Sequence, residues 1–458
     1  MLDSSKLRDL ITDAIKGHNA DYIEVHFEES EISGIGYRGK ELDNITSNTS
    51  VGGNVRAQFN GGWGFVSFDQ IEGIKERAAM AVEQARLVGG KGKTLASVEP
   101  VVSITGARLI KDPASISLAA KKRLLDEYND IIYTTPGIQT STIGYTDARR
   151  TKIFASSEGS FIQQSRVDVM LRLNAIARKD SEIQQFNISL GGLGDYSVVE
   201  NLQQQVKETA EKAVALLSAP RVKGGKYPVV LDPVLAGVFV HEAFGHLSES
   251  DFIYENERLR EIMVLGRQFG GKHLNIVDDA SHPGLRGSYA YDDEGTPGRK
   301  VFLIKEGILT GRLHSRETAA RMGEQPTGNA RAINYHFPPI VRMSNTYIEP
   351  GTASFSDLIS DIKEGIYAGN WYGGTTSMEM FTFSAGEAHM IRHGKIAELV
   401  RPVVLTGNVF ETLKNIDAIG NDLDMNQGGG CGKGGQSPLP VSNGSPHIRI
   451  NNCLVGGE

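Results

Sequence analysis

Cysteine is scarce in this chain: two among 458 residues, Cys431 and Cys453. Two so differently flanked thiols make no disulfide framework, and a reducing, cytoplasmic compartment is expected. An excess of basic residues is missing too. Lys and Arg number 48 against 55 acids, a formal net charge of −7, so no nucleic-acid partner is expected, because phosphate binding needs a basic face. The short basic pairs Lys121-Lys122 and Arg149-Arg150 read as solvated faces. No long apolar run is present: residues 234–240 fall far short of the roughly 20 needed to span a bilayer, so no membrane association is expected. The opening Met1-Leu2-Asp3-Ser4-Ser5-Lys6 lacks a basic head followed by an apolar run, so no signal peptide is expected.

What is present reads as globular: 40% apolar and 22% charged residues. The length exceeds one ordinary core, and two domains follow as the expectation. Leu7, Leu10, Ile11 and Ile15 lie at helical spacing. From Tyr22 the period changes to alternation, and short alternating runs separated by Gly and Asn predict an antiparallel meander. Helical spacing returns over 69–88 and 116–128, strands over 138–188, and a long helix over 196–217. Residues 218–226, with Pro220, Gly224 and Gly225, form the predicted linker. The division is therefore 1–220, an N-terminal α/β domain, and 226–458, a C-terminal β-rich domain. The predicted fold class is α+β: an N-terminal antiparallel sheet with flanking helices, then a β-rich domain around one central metal-binding helix. Predicted strands there include 301–304, 341–347 and 448–450.

His241-Glu242-Ala243-Phe244-Gly245-His246 carries the chemistry. Asp232-Pro233 is a good helix start, since Asp can cap free N–H groups and Pro suits the first turn. The apolar residues that follow predict a buried helix, and buried His and Glu need partners. The familiar zinc spacing puts two His four residues apart. Here they are five apart, about 140° round an ideal helix. Both reach one ion only if the helix is distorted or ends between them. Gly245 would permit that, and a single π turn is one such distortion. Two structural histidines on a core helix are the plain alternative.

A third ligand remains open at this point. Cys431 lies among glycines that let backbone approach an ion, and Lys433 nearby could favour its thiolate. Cys453, flanked by Ile448, Ile450, Leu454 and Val455, reads as a small buried hydrophobe. Glu249, Asp251 and His273 are weaker candidates. Two phosphate-loop patterns fail: Gly34-Ile35-Gly36-Tyr37-Arg38-Gly39 is followed by strand or turn rather than helix, and Gly432-Lys433 lacks the rest of its fingerprint.

These residues resemble the TldD/PmbA family of metallopeptidases over nearly the whole chain. The resemblance rests on the His241–His246 segment and on Asp292-Asp293-Glu294-Gly295-Thr296-Pro297-Gly298. It continues through Pro326-Thr327-Gly328-Asn329, Met343-Ser344-Asn345-Thr346-Tyr347, Gly365-Ile366-Tyr367 and Cys431-Gly432-Lys433-Gly434-Gly435-Gln436. Retention of H-E-x-x-x-H and the late cysteine is similar to the catalytic, TldD-like branch. The resemblance implies one Zn(2+) per chain held by His241, His246 and Cys431, with Glu242 as general base. It implies small or unfolded peptides as substrates, hydrolysed in an enclosed active site. It also implies a dimer, with a PmbA-like companion subunit or with itself. The other reading is a non-catalytic PmbA-like partner subunit or interaction protein. A purely structural zinc would need a fourth protein ligand, and none is evident beside these three.

Overall fold

The computed structural model describes residues 4–90 and 95–456, in an α+β architecture. The N-terminal sheet runs antiparallel in the order Gly62–Phe68, Glu41–Phe59, Tyr22–Arg38, Ile138–Ser156, Phe161–Lys179. The far edge of Phe161–Lys179 pairs antiparallel with Glu182–Leu193 and parallel with the short strand Val102–Thr105. Side chains alternate between faces. One face carries Ile23, Val25, Ile35 and Tyr37, all buried. Helices Ser4–Ile15 and Ile74–Val88 cover one end of that face, and Leu118–Thr134 and Gln203–Ala215 cover the other.

The opposite face is polar, yet much of it is buried, because the C-terminal half docks on it. Arg56 lies 2.7 Å from Glu24 and 2.9 Å from Glu294. Lys152 reaches Asp293 at 3.0 Å, and Gln164 Nε2 donates to the Tyr291 carbonyl at 2.9 Å. The Asp292–Gly298 motif therefore acts as a clamp. Asp292 Oδ1 accepts the N–H groups of Glu294 and Thr296, while Oδ2 accepts that of Ala330. Gly295 turns the chain at φ +76°, in the left-handed region that glycine tolerates.

In the C-terminal half, five strands pair in a closed ring: Glu364–Ser377, Gly225–Leu231, Ile448–Gly456, Val404–Asn408 and Met380–Arg392. A second sheet is ordered Ile308–Leu309, Lys300–Lys305, Ile276–Asp279, Asn345–Ile348, Ser442–Ser445, Asp424–Asn426. Helix Pro233–Val240 packs against both sheets, with Leu235, Ala236, Phe239 and Val240 in the shared core. Among the described residues no helix is long and apolar enough to cross a membrane.

Three expectations need correction. The helix expected over 196–217 is broken into Tyr196–Val199 and Gln203–Ala215, with Asn201 at φ +58° between them. The strand expected over 341–347 is two strands, Ile340–Val341 and Asn345–Ile348. The basic pairs are not simply solvated. Lys121 is buried against Asp147 at 2.6 Å, Arg149 pairs with Asp112 at 2.5 Å, and Arg150 is half-buried near Glu28 and Asp168.

Candidate metal centre

Asp232 Oδ1 caps the central helix by accepting the Leu235 N–H at 2.7 Å, and Oδ2 accepts that of Asn370 at 2.8 Å. The helix is α-helical over Pro233–Val240 and then takes one π turn, His241–Gly245, closed by the His246 N–H on the His241 carbonyl. The extra residue in that turn is what brings two histidines five apart onto one side. Their rings lie 5.3 Å apart, centre to centre. Gly245 has ordinary right-handed helical dihedrals, φ −57° and ψ −50°. Its role is space rather than backbone freedom: a Cβ there would come 2.1 Å from the Met343 sulfur.

Cys431 arrives from a β-hairpin, Gly430–Lys433 paired with Gln436–Pro440. Gly434 and Gly435, both at positive φ, make the two-residue turn. Cys431 Sγ lies 3.5 Å from His246 Nε2. One donor atom from each of His241, His246 and Cys431 lies within 4.8 Å of the others. Two donors about 2.0–2.3 Å from one tetrahedral zinc stand roughly 3.5 Å apart. Two imidazoles and a thiolate suit that ion, and the buried His241 Nδ1 has no hydrogen-bond partner among the described residues. The donor set therefore fits zinc.

The electrostatics match. Burial raises the Cys431 thiol, but His241 and His246 bring it down to about 5. Burial lowers His246, while Glu249 and Cys431 raise it to about 11. Cys453 has only burial acting on it and is pushed up to about 12. It sits in the strand Ile448–Gly456 inside the C-terminal core.

The weaker candidates lie around the donor set rather than in it. Glu249 is fully buried, and its Oε2 is 2.9 Å from His246 Nδ1, on the side of the ring away from Cys431. Burial raises the Glu249 carboxyl, but Lys433 and His246 bring it down to about 2. Asp251 accepts from Lys433 Nζ at 2.7 Å, and His273 meets the Ile416 carbonyl. Lys433 is engaged by Glu249 at 3.1 Å, Asp251 and the Val341 carbonyl. Its link to His246 thus runs through Glu249.

Glu242 is a third exposed, and its Oε2 lies 3.8 Å from His246 Nε2. Two hollows meet at it. One, of about 480 Å³, is lined by Arg172, Asn187, His241, Trp371 and Gly429. The other, of about 670 Å³, is lined by His246, Phe252, Thr375, Met378 and Lys433. A carboxylate at their junction can exchange protons with a molecule lying across both.

Three family profiles match the chain in succession, described as PmbA/TldA metallopeptidase domain 1 over residues 23–85, central domain over 111–217 and C-terminal domain over 224–457. A metalloprotease of Synechocystis sp. is 48% identical over 445 residues, 96% of this chain and 95% of its own length. A zinc metalloprotease TldD homolog of Saccharolobus solfataricus is 36% identical over 326 residues, 70% of this chain and 72% of its own. Among solved structures, TldE from Thermococcus kodakarensis matches with a TM-score of 0.77 at 18% identity, covering 98% of this chain and 100% of that one, a likeness of fold.

Proposed function

The chain belongs to the PmbA/TldD family of metallopeptidases, and from that premise we propose that it is a zinc-dependent peptidase acting on small or unfolded peptides. One observation carries the reading: His241, His246 and Cys431 offer three donor atoms within 4.8 Å of one another, beside a carboxylate open to two hollows. The zinc name of the Saccharolobus relative supports the choice of ion. The three side chains would hold one zinc per chain.

Zinc in such a site supplies Lewis-acid polarisation of water and of the scissile carbonyl. The chain's own groups do the rest. Glu242 accepts the proton of the attacking water and then delivers it to the leaving amine. Its partial exposure keeps it free for that exchange, unlike Glu249, which is buried and committed to His246 and Lys433. The hollows on either side of Glu242 receive the two flanks of an extended peptide.

A dimer, with a PmbA-like companion subunit or with itself, is part of the same reading, as is an enclosed site. Two free buried cysteines accord with a reducing, cytoplasmic setting. The alternative, a non-catalytic companion, leaves Glu242 and the Cys431 thiolate without a task.

The test is cleavage of a denatured polypeptide, read by mass spectrometry, with the protein as purified, after chelation and after zinc is restored. Cleavage lost on chelation and regained with zinc is expected. Cleavage indifferent to chelation, at a metal content shown to be zero, overturns the reading.

A further inference from the structure

A separate hollow of about 410 Å³ opens between the polar face of the N-terminal sheet and residues 281–293. It shares no lining residue with the two hollows at Glu242. Its size suits a small ligand. Arg108, Arg150, Arg166 and Arg331 line it, with Leu193 and Pro283 among its apolar walls.

These cations are short of carboxylates. Arg166 grips Asp168 through two hydrogen bonds, at 2.6 and 2.8 Å. Arg286, behind the wall, and Arg150 approach the same Asp168 at 3.5 and 3.8 Å. Arg150 otherwise has Glu28 at 3.8 Å, beyond hydrogen-bond distance. Arg331, buried, donates to the carbonyls of Met343 and Pro440. The acids in the wall do not make up the difference. Asp293 is taken by Lys152, and Asp292 is turned onto three backbone N–H groups. Burial, and after it neighbouring arginines, hold Arg286 and Arg331 below the ordinary arginine range, against the opposing pull of Asp168 on the first and Tyr289 on the second. Arg150, half-buried and with no carboxylate nearer than 3.8 Å, is poised for a planar anionic group.

We infer that this hollow is a second ligand site, taking a small molecule or peptide end that carries a carboxylate or phosphate head on an apolar body. Arg150 and Arg108 close on the head, Arg166 is held rigid by Asp168 beside it, and Leu193 and Pro283 face the body. The site stands whether or not the metal-centre reading does.

Titration calorimetry on the full, zinc-loaded chain tests it with three probes: N-acetyl-leucine, its neutral amide, and phenyl phosphate. Either anionic probe should bind and the amide should not, and the preference between the two anions names the head. Arg150→Gln and Arg108→Gln should each weaken binding about tenfold, the cost of one charge-assisted hydrogen bond. Arg150→Lys, which keeps charge but loses the planar fork, should fall between. Arg123→Gln, exposed on the helix Leu118–Thr134 and outside all three hollows, should leave binding unchanged. Thermal unfolding of each variant confirms an intact fold. Equal binding of acid and amide overturns the site. So does anion binding indifferent to both arginine variants, or no binding of either anion.

Discussion

Glu249 Oε2 and His246 Nδ1 lie 2.9 Å apart, and this contact turns the other nitrogen of the ring, Nε2, onto Cys431 Sγ at 3.5 Å. A carboxylate on the far side of a ligating imidazole fixes its tautomer and orientation and raises its basicity. Lys433, at 3.1 Å, supplies the charge that keeps the buried carboxylate ionised. Glu249→Gln should therefore weaken zinc binding by about 10–100-fold while the fold persists. Competition against a fluorescent chelator reads the affinity. An unchanged zinc affinity would show that the ring needs no such support.

Glu242→Ala should retain zinc and fold but lose about 10²–10⁴-fold in peptide turnover, the usual loss when a general base is removed. Its side chain is a third exposed, so truncating it removes little buried surface. Turnover is compared at equal metal content. A variant with wild-type turnover would place the proton transfer on another group.

Much of this was legible in the sequence, and the rest was hidden for identifiable reasons. The Asp232-Pro233 start and the apolar run to Val240 announced a buried helix, and the five-residue His spacing required a distortion or a helix end if both rings were to reach one ion; the structure has a π turn there. Cys431 stood out by its glycines. Glu249 read only as a weaker ligand candidate, because its place on His246 Nδ1 depends on which side of the ring the chain returns to. Local patterning cannot say that Met343, nearly a hundred residues on, fills the space beside Gly245. The burial of the polar face of the N-terminal sheet was hidden for a related reason. Alternation marks a half-buried strand, but Arg56 and Lys152 are covered by the 292–294 clamp, a partner set by tertiary docking.

Gly245→Ala should destabilise the chain by about 1–3 kcal/mol, since the added methyl must displace a packed Met343 side chain. The α conformation at Gly245 would by itself welcome alanine. The double variant Gly245→Ala with Met343→Ala should consequently be less destabilised than the two single losses summed, because the methyl then enters the space the sulfur leaves. Denaturant unfolding of all three variants measures the coupling. Strict additivity would mean that Gly245 is required by the π turn itself and not by its neighbour.

The two cysteines should part company with pH in chelated protein. Cys431 titrates at about 5 when folded, below the ordinary 9.0, so its share of stability grows as pH rises from about 5 to 9 and is lost as pH falls through 5. His246 titrates at about 11, above the ordinary 6.5, so its share is full below about 6.5 and is lost as pH rises through 11. Between 6.5 and 9 the two trends cancel, and the thiolate–imidazolium pair contributes most. The stability difference between wild type and Cys431→Ser should therefore peak across that window and shrink toward pH 5 and pH 11. Cys453, pushed up to about 12 by burial, stays a neutral thiol throughout. Cys453→Ser should cost about 1–3 kcal/mol for a polar group in an apolar core, by the same amount at pH 5 and pH 9, and leave zinc content alone. Cys431→Ser should strip or loosen the zinc, as a hydroxyl is a far poorer ligand than a thiolate. Urea unfolding at intervals from pH 5 to 11, with zinc content measured at pH 7.5, separates the outcomes. A pH-independent cost for Cys431→Ser would mean that its sulfur is a neutral thiol, and zinc lost with Cys453→Ser but kept with Cys431→Ser would move the third ligand to the other strand.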